Sequence, residues 1–137
     1  MQMNMAHVIS AIALAGGLAS TQSANGFWIT ADRTALVRIA PCGPKLCGTI
    51  SRVLKQGSEV PNADVNNPQP NLRSRPLVGL QVLSGFASRG LGWAGGRAYD
   101  PKSGRSYKAE LTPNSDGTLT VTGCVLFICR SQTWRRT

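Results

Sequence analysis

YDPKSGRSYKAELTPNSDGTLTVT, residues 99–122, contains two strands and the turns that bound them. Tyr107, Ala109 and Leu111 alternate with Ser106, Lys108 and Glu110. After a break, Leu119 and Val121 alternate with Thr118, Thr120 and Thr122. A period of two marks a strand with one buried face. The break, Pro113-Asn114-Ser115-Asp116-Gly117, is turn chemistry, and so is Asp100-Pro101-Lys102-Ser103-Gly104 upstream. Asp starts such a turn, Pro sets φ, and Gly takes the left-handed position. Strands joined by turns this short run antiparallel.

The same period extends in both directions. In residues 34–40, Ala35, Val37 and Ile39 point one way, and Leu36 and Arg38 the other. Further strands are expected at 27–30, 47–54, 77–84, 93–99 and 130–136, giving eight with 34–40, 106–111 and 118–122. Gly79, Gly95 and Gly96 fall inside strand-like runs, where glycine signals bulges or sharp bends. The predicted fold is all-β: an eight-stranded antiparallel up-and-down barrel, since closure removes exposed edges. A two-sheet sandwich is the alternative. One connection is long, GSEVPNADVNNPQPN at residues 57–71. Asn67-Pro68 is expected to cap and open a short helical turn there. Loops of this length in small domains are lids, binding loops or disordered segments. Arg73 and Arg75 stand where this loop rejoins the barrel.

Residues 8–18, VISAIALAGGL, are apolar or small apart from Ser10. A bilayer span takes about 20 apolar residues, so this stretch suits a signal-peptide core instead. Small residues at Ala19 and Ala24 supply cleavage sites, although no Lys or Arg precedes Val8. The expected organisation is a cleaved signal peptide, residues 1–24, and a single barrel domain, residues 25–137, in the periplasm or secreted. A buried N-terminal helix is the alternative, but residues 8–18 offer it no polar face. The chain has 137 residues and a net charge of +9, all of it outside the first 24 residues. With 15% charged and 42% hydrophobic residues, a disordered tail, a coiled coil and a multi-domain enzyme are excluded.

Cys42 and Cys47 frame GPKL, and Cys124 and Cys129 frame VLFI. An even count at matched spacing in an exported chain points to disulfides. Three connectivities are open; local pairing needs only that each tetrapeptide turns back on itself. A four-cysteine zinc site is the rival, with a spacing at the edge of the range for structural sites. No C-x-x-C is present to suggest a redox enzyme. Residues 125–128 are expected to be buried core, ahead of a membrane-dipping tip or a lining of the barrel mouth.

The only histidine, His7, lies in the expected signal segment. Asp100 and Asp116 are explained by turns, and Glu110 by the polar face of its strand. Asp64 alone has a polar setting, near Asn66, Asn67, Arg73 and Arg75. A carboxylate beside two arginines is held ionised, which suits a structural ion pair. No nucleophile–base pair, phosphate loop or metal cluster is visible, so no catalytic residue, cofactor or metal is expected. The candidate ligand-binding residues are Asp64, Asn66, Asn67, Arg73, Arg75, Tyr99 and Lys102. Eleven of the fifteen cations are arginine, suited to bidentate contact with phosphate or carboxylate. They are scattered and lack interleaved aromatics, so nucleic acid is not expected as a partner. The partners expected are a small hydrophobic or amphipathic ligand, or an anionic component of the cell envelope.

Gly26-Phe27-Trp28 resembles the Gly-x-Trp that opens the first strand of lipocalin-type barrels. That resemblance implies that Gly26 and Trp28 close the barrel end, with an arginine of the last strand, Arg130 or Arg135, across the indole. A longer series occurs in order: VRI at 37–39, PCGPKLCG at 41–48, DVNNP at 64–68, LRSRPLVGL at 72–80, YDPKSGRSY at 99–107 and QTW at 132–134. Together these are similar to the small exported bacterial proteins known as domain of unknown function 2147. The resemblance implies export and a lipocalin-like barrel, without an established activity. It also implies that a Cys124–Cys129 bridge is an optional staple.

Overall fold

The computed structural model describes residues 23–54 and 62–137. The signal segment expected at 1–24 lies outside the described residues up to position 22, as does the 55–61 stretch that begins the long connection. The described residues form eight strands: β1 Gly26–Ile29, β2 Ala35–Cys42, β3 Lys45–Val53, β4 Gln81–Arg89, β5 Gly92–Asp100, β6 Arg105–Pro113, β7 Leu119–Val125 and β8 Ile128–Arg136. Each pairs antiparallel with the next, and β8 returns to β1, closing the barrel. The barrel is therefore up-and-down, and the sandwich alternative is set aside. One end carries the β2–β3, β4–β5 and β6–β7 turns, with the chain entering at Gly26 and leaving at Arg136. The other carries the β1–β2, β5–β6 and β7–β8 turns and the long β3–β4 connection.

The turn chemistry behaves as its residues dictate. Gly104 and Gly117 take φ of +72° and +87°, closing the β5–β6 and β6–β7 turns. Gly95, at φ +75°, marks a bulge in β5, where the register with β6 shifts between Trp93 and Gly96. The core is formed by Trp28, Val37, Ile39, Leu46, Ile50, Leu83, Phe86, Leu111, Leu119, Val121 and Trp134, all buried. Two glycines make room inside it. A Cβ on Gly96 would lie 2.5 Å from the Phe86 ring, and one on Gly48 would lie 2.9 Å from Leu83. Phe86 is fully buried, so side chains fill the barrel around it, as in the narrower eight-stranded barrels.

Three expectations are corrected. The strand expected at 77–84 begins only at Gln81 and runs on to Arg89. Residues 77–80 are a turn instead: the Leu80 N–H donates to the Leu77 carbonyl, and Gly79 takes φ +91°. Gly79 thus serves a turn and not a strand bulge. The helical turn expected at Asn67-Pro68 is a 3-10 turn at Pro70–Leu72, with Gln69 at the N-cap position and no side-chain capping bond. It starts at the later proline, and Asn67 Oδ1 instead accepts the Gln69 N–H just ahead of it.

The third correction concerns residues 125–128, expected as core. Val125, Leu126, Phe127 and Ile128 are 54%, 88%, 96% and 70% exposed. The register explains it. Cys124 pairs with Cys129 and Val125 with Ile128, so the hairpin runs beyond the rim and only Leu126 and Phe127 are left to turn it. The cysteines pair locally, Cys42 with Cys47 and Cys124 with Cys129. All four thiols are consumed, which removes the zinc alternative.

Candidate functional site

The long connection returns to the barrel as a small pinched loop. Ala63 bridges Pro76, the Asp64 N–H donates to the Arg75 carbonyl at 3.0 Å, and the Leu77 N–H donates to the Asn62 carbonyl at 2.9 Å. This pinch turns the Asp64 side chain toward Tyr99, near the end of β5. Asp64 is fully buried. Its Oδ1 accepts the Tyr99 hydroxyl at 2.7 Å. Its Oδ2 accepts Asn67 Nδ2 at 2.9 Å and Arg75 Nε at 3.0 Å. The Arg75 guanidinium also stands 5.9 Å from the centroid of the Tyr99 ring, within cation–π range.

Burial works to raise the Asp64 carboxyl. The hydrogen bonds from Tyr99, Asn67 and Arg75, together with the Arg75 charge, outweigh it and hold the group below the usual carboxylate range. Tyr99 moves the other way, to about 12, through burial and then through its hydrogen bond to the ionised Asp64 and the charge itself. Both carboxylate oxygens are occupied and shut away from solvent. Asp64 therefore anchors the loop, and its buried charge has three donors to balance it.

The rest of the candidate set extends this anchor. Asn67 Oδ1 accepts the Gln69 N–H at 2.8 Å, and the Asn67 carbonyl accepts Arg73 Nε at 2.7 Å. Asn66 Nδ2 donates to the Pro101 and Lys102 carbonyls at 3.3 and 3.0 Å. Lys102 in turn forms an ion pair with Asp32 of the β1–β2 turn. Asp64, Asn67, Arg73, Arg75 and Tyr99 thus form one network, and Asn66 and Lys102 form an adjoining one that ties the β3–β4 connection to the β5–β6 and β1–β2 turns at the same barrel end. Gly104 is needed there, since a Cβ on it would lie 1.9 Å from the Asn66 carbonyl oxygen. Sequence reasoning did not include Asp32. Its own signal, an Asp between Thr30 and Thr34, describes only a turn. Beside the network, Arg75, Pro76, Val78, Gly79, Leu80 and Gln81 line an open cleft of about 460 Å³.

The opposite end is closed by Trp28. The indole is 1% exposed and donates from Nε1 to the Ala24 carbonyl at 2.8 Å. The cation over it belongs to Arg136, 4.2 Å from the ring centroid, and not to Arg135 or Arg130. The alternation of β8 decides this. Arg136 pairs with Trp28 and shares the inner face with buried Trp134, while Arg135 pairs with Ile29 and alternates outward. Arg130 lies at the far end of β8, opposite Gly123. Arg136 also donates to the Asn25 carbonyl at 3.0 Å and the Ser23 carbonyl at 2.6 Å. Gly26, at φ +125°, leaves the space for it; a Cβ there would lie 2.7 Å from Arg136 Nη1. Counting in twos from Trp134 would have found Arg136.

Comparison with known proteins agrees with this architecture. Among solved structures, protein HP1028 from the human pathogen Helicobacter pylori, described as belonging to the lipocalin family, is similar with a TM-score of 0.75. The identity is 24%, over 85% of this chain and 84% of that one. No curated protein matches the chain. The family described as "Uncharacterized protein conserved in bacteria (DUF2147)" matches residues 26–136. Nearly the whole barrel, from Gly26 of β1 to Arg136 of β8, is covered by that match, and the chain belongs to this bacterial family, here seen as a lipocalin-like barrel.

Proposed function

We propose that this protein is a binding protein and not an enzyme, and that it takes a small amphipathic anion at the rim of the barrel beside the anchored loop. The observation that carries this reading is the make-up of the open cleft. Arg75 supplies a cation, while Val78 and Leu80 supply apolar surface. The cleft is open to solvent, so a ligand there would be held on one side only, by Arg75 and the apolar residues next to it. Arg75 is held by Asp64 through Nε, and the anchored geometry lowers the ordering cost of binding. Because side chains fill the barrel around Phe86, the ligand sits at the rim and not deep in the lumen. Asp64, closed off and fully hydrogen-bonded, positions Arg75 and takes no part in chemistry. The two disulfides favour an oxidising compartment, the periplasm or the outside of the cell.

Native mass spectrometry of the protein purified gently from its own cells tests this, against the same sample after denaturation. The expected result is an adduct with the mass of an amphipathic anion, lost on denaturation and absent from a Val78→Asp variant. Val78 is 56% exposed, so that change leaves the core intact. A bare mass overturns the ligand reading. It would shift the weight to the second reading, a surface of net charge +9 that engages anionic envelope components directly.

A further inference from the structure

The β7–β8 hairpin spends its turn on residues that turns do not favour. In a two-residue hairpin the first turn position takes a positive φ and is normally given to Gly, Asn or Asp. Here it is Leu126, at φ +54°, a conformation in which a branched apolar side chain is strained. Phe127 follows, 96% exposed. Val125 and Ile128 flank them, also exposed, and the Cys124–Cys129 bridge ties the strands directly below. The result is a stapled apolar finger standing clear of the barrel rim, where neither folding energy nor core packing accounts for its composition.

Its surroundings are basic. One row of cross-strand neighbours runs Cys129, Cys124, Lys108, Arg97 across β8, β7, β6 and β5. Lys108 and Arg97 are exposed, and Arg130, exposed as well, follows Cys129. Glu110, the acid on the same face of β6 as Lys108, lies two residues farther from the tip. Asp100, at the same barrel end, stands opposite Arg105 in register.

We propose that this finger is a membrane-docking device: Leu126 and Phe127 enter the interface of a bilayer whose anionic headgroups meet Arg130, Lys108 and Arg97. The occupant follows from shape and charge. A stable protein partner buries about 800 Å² on each side, and a four-residue finger offers far less. A bilayer interface accepts a few apolar side chains with flanking cations, the pairing that holds peripheral proteins. The inference goes beyond the ligand reading and stands without it, because vesicle binding and adduct mass are separate measurements.

The test is co-sedimentation of the oxidised protein with vesicles of phosphatidylcholine, with and without phosphatidylglycerol. Wild type is expected to bind the phosphatidylglycerol vesicles, less so as salt rises. A Leu126→Asn, Phe127→Asp variant is expected to bind about tenfold or more weakly with a melting temperature no lower than that of wild type. A Phe127→Trp variant, read as the difference between its emission and that of wild type with its three tryptophans, should shift to the blue on those vesicles. Binding that the double variant leaves intact would assign attachment to barrel charge alone and overturn the proposal. Absence of binding would overturn it too, as would concentration-dependent self-association abolished by the double variant, which would make a second copy the occupant.

Discussion

Trp28 shows how much one side chain does in a small barrel. It is buried against the floor of the core, its N–H is satisfied by the Ala24 carbonyl, and Arg136 covers its outer face. Truncation removes a large apolar group from a site that eight hydrogen-bonded strands prevent from collapsing. Trp28→Ala is therefore expected to lose about 3–5 kcal/mol, as for other large aromatic truncations. Urea unfolding followed by circular dichroism measures it, and a loss below about 1 kcal/mol, the range of ordinary surface changes, would show that Trp28 is not the floor. Arg136→Ala should cost less, about 1–2 kcal/mol, because the guanidinium is exposed and gives a cation–π contact and two carbonyl hydrogen bonds. The tryptophan was legible in the sequence because Gly-x-Trp opens a strand. Its partner was not, because three arginines lie in one strand and choosing among them takes the register of β8 to a single residue.

At the scale of elements, the anchored β3–β4 connection makes a pH-dependent contribution of definite sign. The folded Asp64 carboxyl lies below its unfolded value of about 3.9. Its contribution is therefore present in full above that value and is lost as pH falls through the folded pKa. Tyr99, raised to about 12 in the fold from about 10 unfolded, contributes below pH 10 and loses that contribution as pH rises toward 12. Asp64→Asn keeps the shape but offers donors where acceptors are required, and is expected to cost about 1–3 kcal/mol at neutral pH. That cost should shrink in acid, where the unfolded wild type takes up a proton that the folded carboxylate resists. Urea titrations at about pH 7 and pH 3, on either side of the unfolded value, decide it; an equal difference at both would mean that the charge does not anchor the loop. The loop was partly legible because Asp64 was the acid that no turn explained. The neighbouring 77–80 turn was not, since Leu-Val-Gly-Leu has strand composition and only its hydrogen bonds to β3 and to itself make it a turn. Residues 125–128 failed for a related reason. An apolar run shows that a segment avoids water in isolation, but not whether the barrel rim reaches it.

For the whole molecule, the closed barrel was legible from turn chemistry, and its closed end bears on where a processed chain would begin. Cleavage at the expected boundary after Ala24 would cut into the contacts that close the barrel end. Ala24 is buried, its carbonyl holds the Trp28 indole, and the Ser23 and Asn25 carbonyls hold Arg136. Cleavage after Ala24 would remove two of these three acceptors and leave a buried indole N–H without its partner, which costs about 1–3 kcal/mol. It would also place the new ammonium of Asn25 near the Arg136 guanidinium. Cleavage after Ala19 satisfies the same small-residue rule and keeps all three carbonyls inside the folded domain. We propose that any cleavage falls after Ala19, so that the processed chain begins at Ser20. Intact-mass measurement of material from the cell envelope tests this directly, because the two cleavage products differ by five residues, 20–24. A mass matching a start at Asn25 would mean that the barrel end closes without the Ser23 and Ala24 acceptors. In that case a chain truncated to Asn25 should melt at the same temperature as the full domain, which the Trp28 and Arg136 geometry argues against.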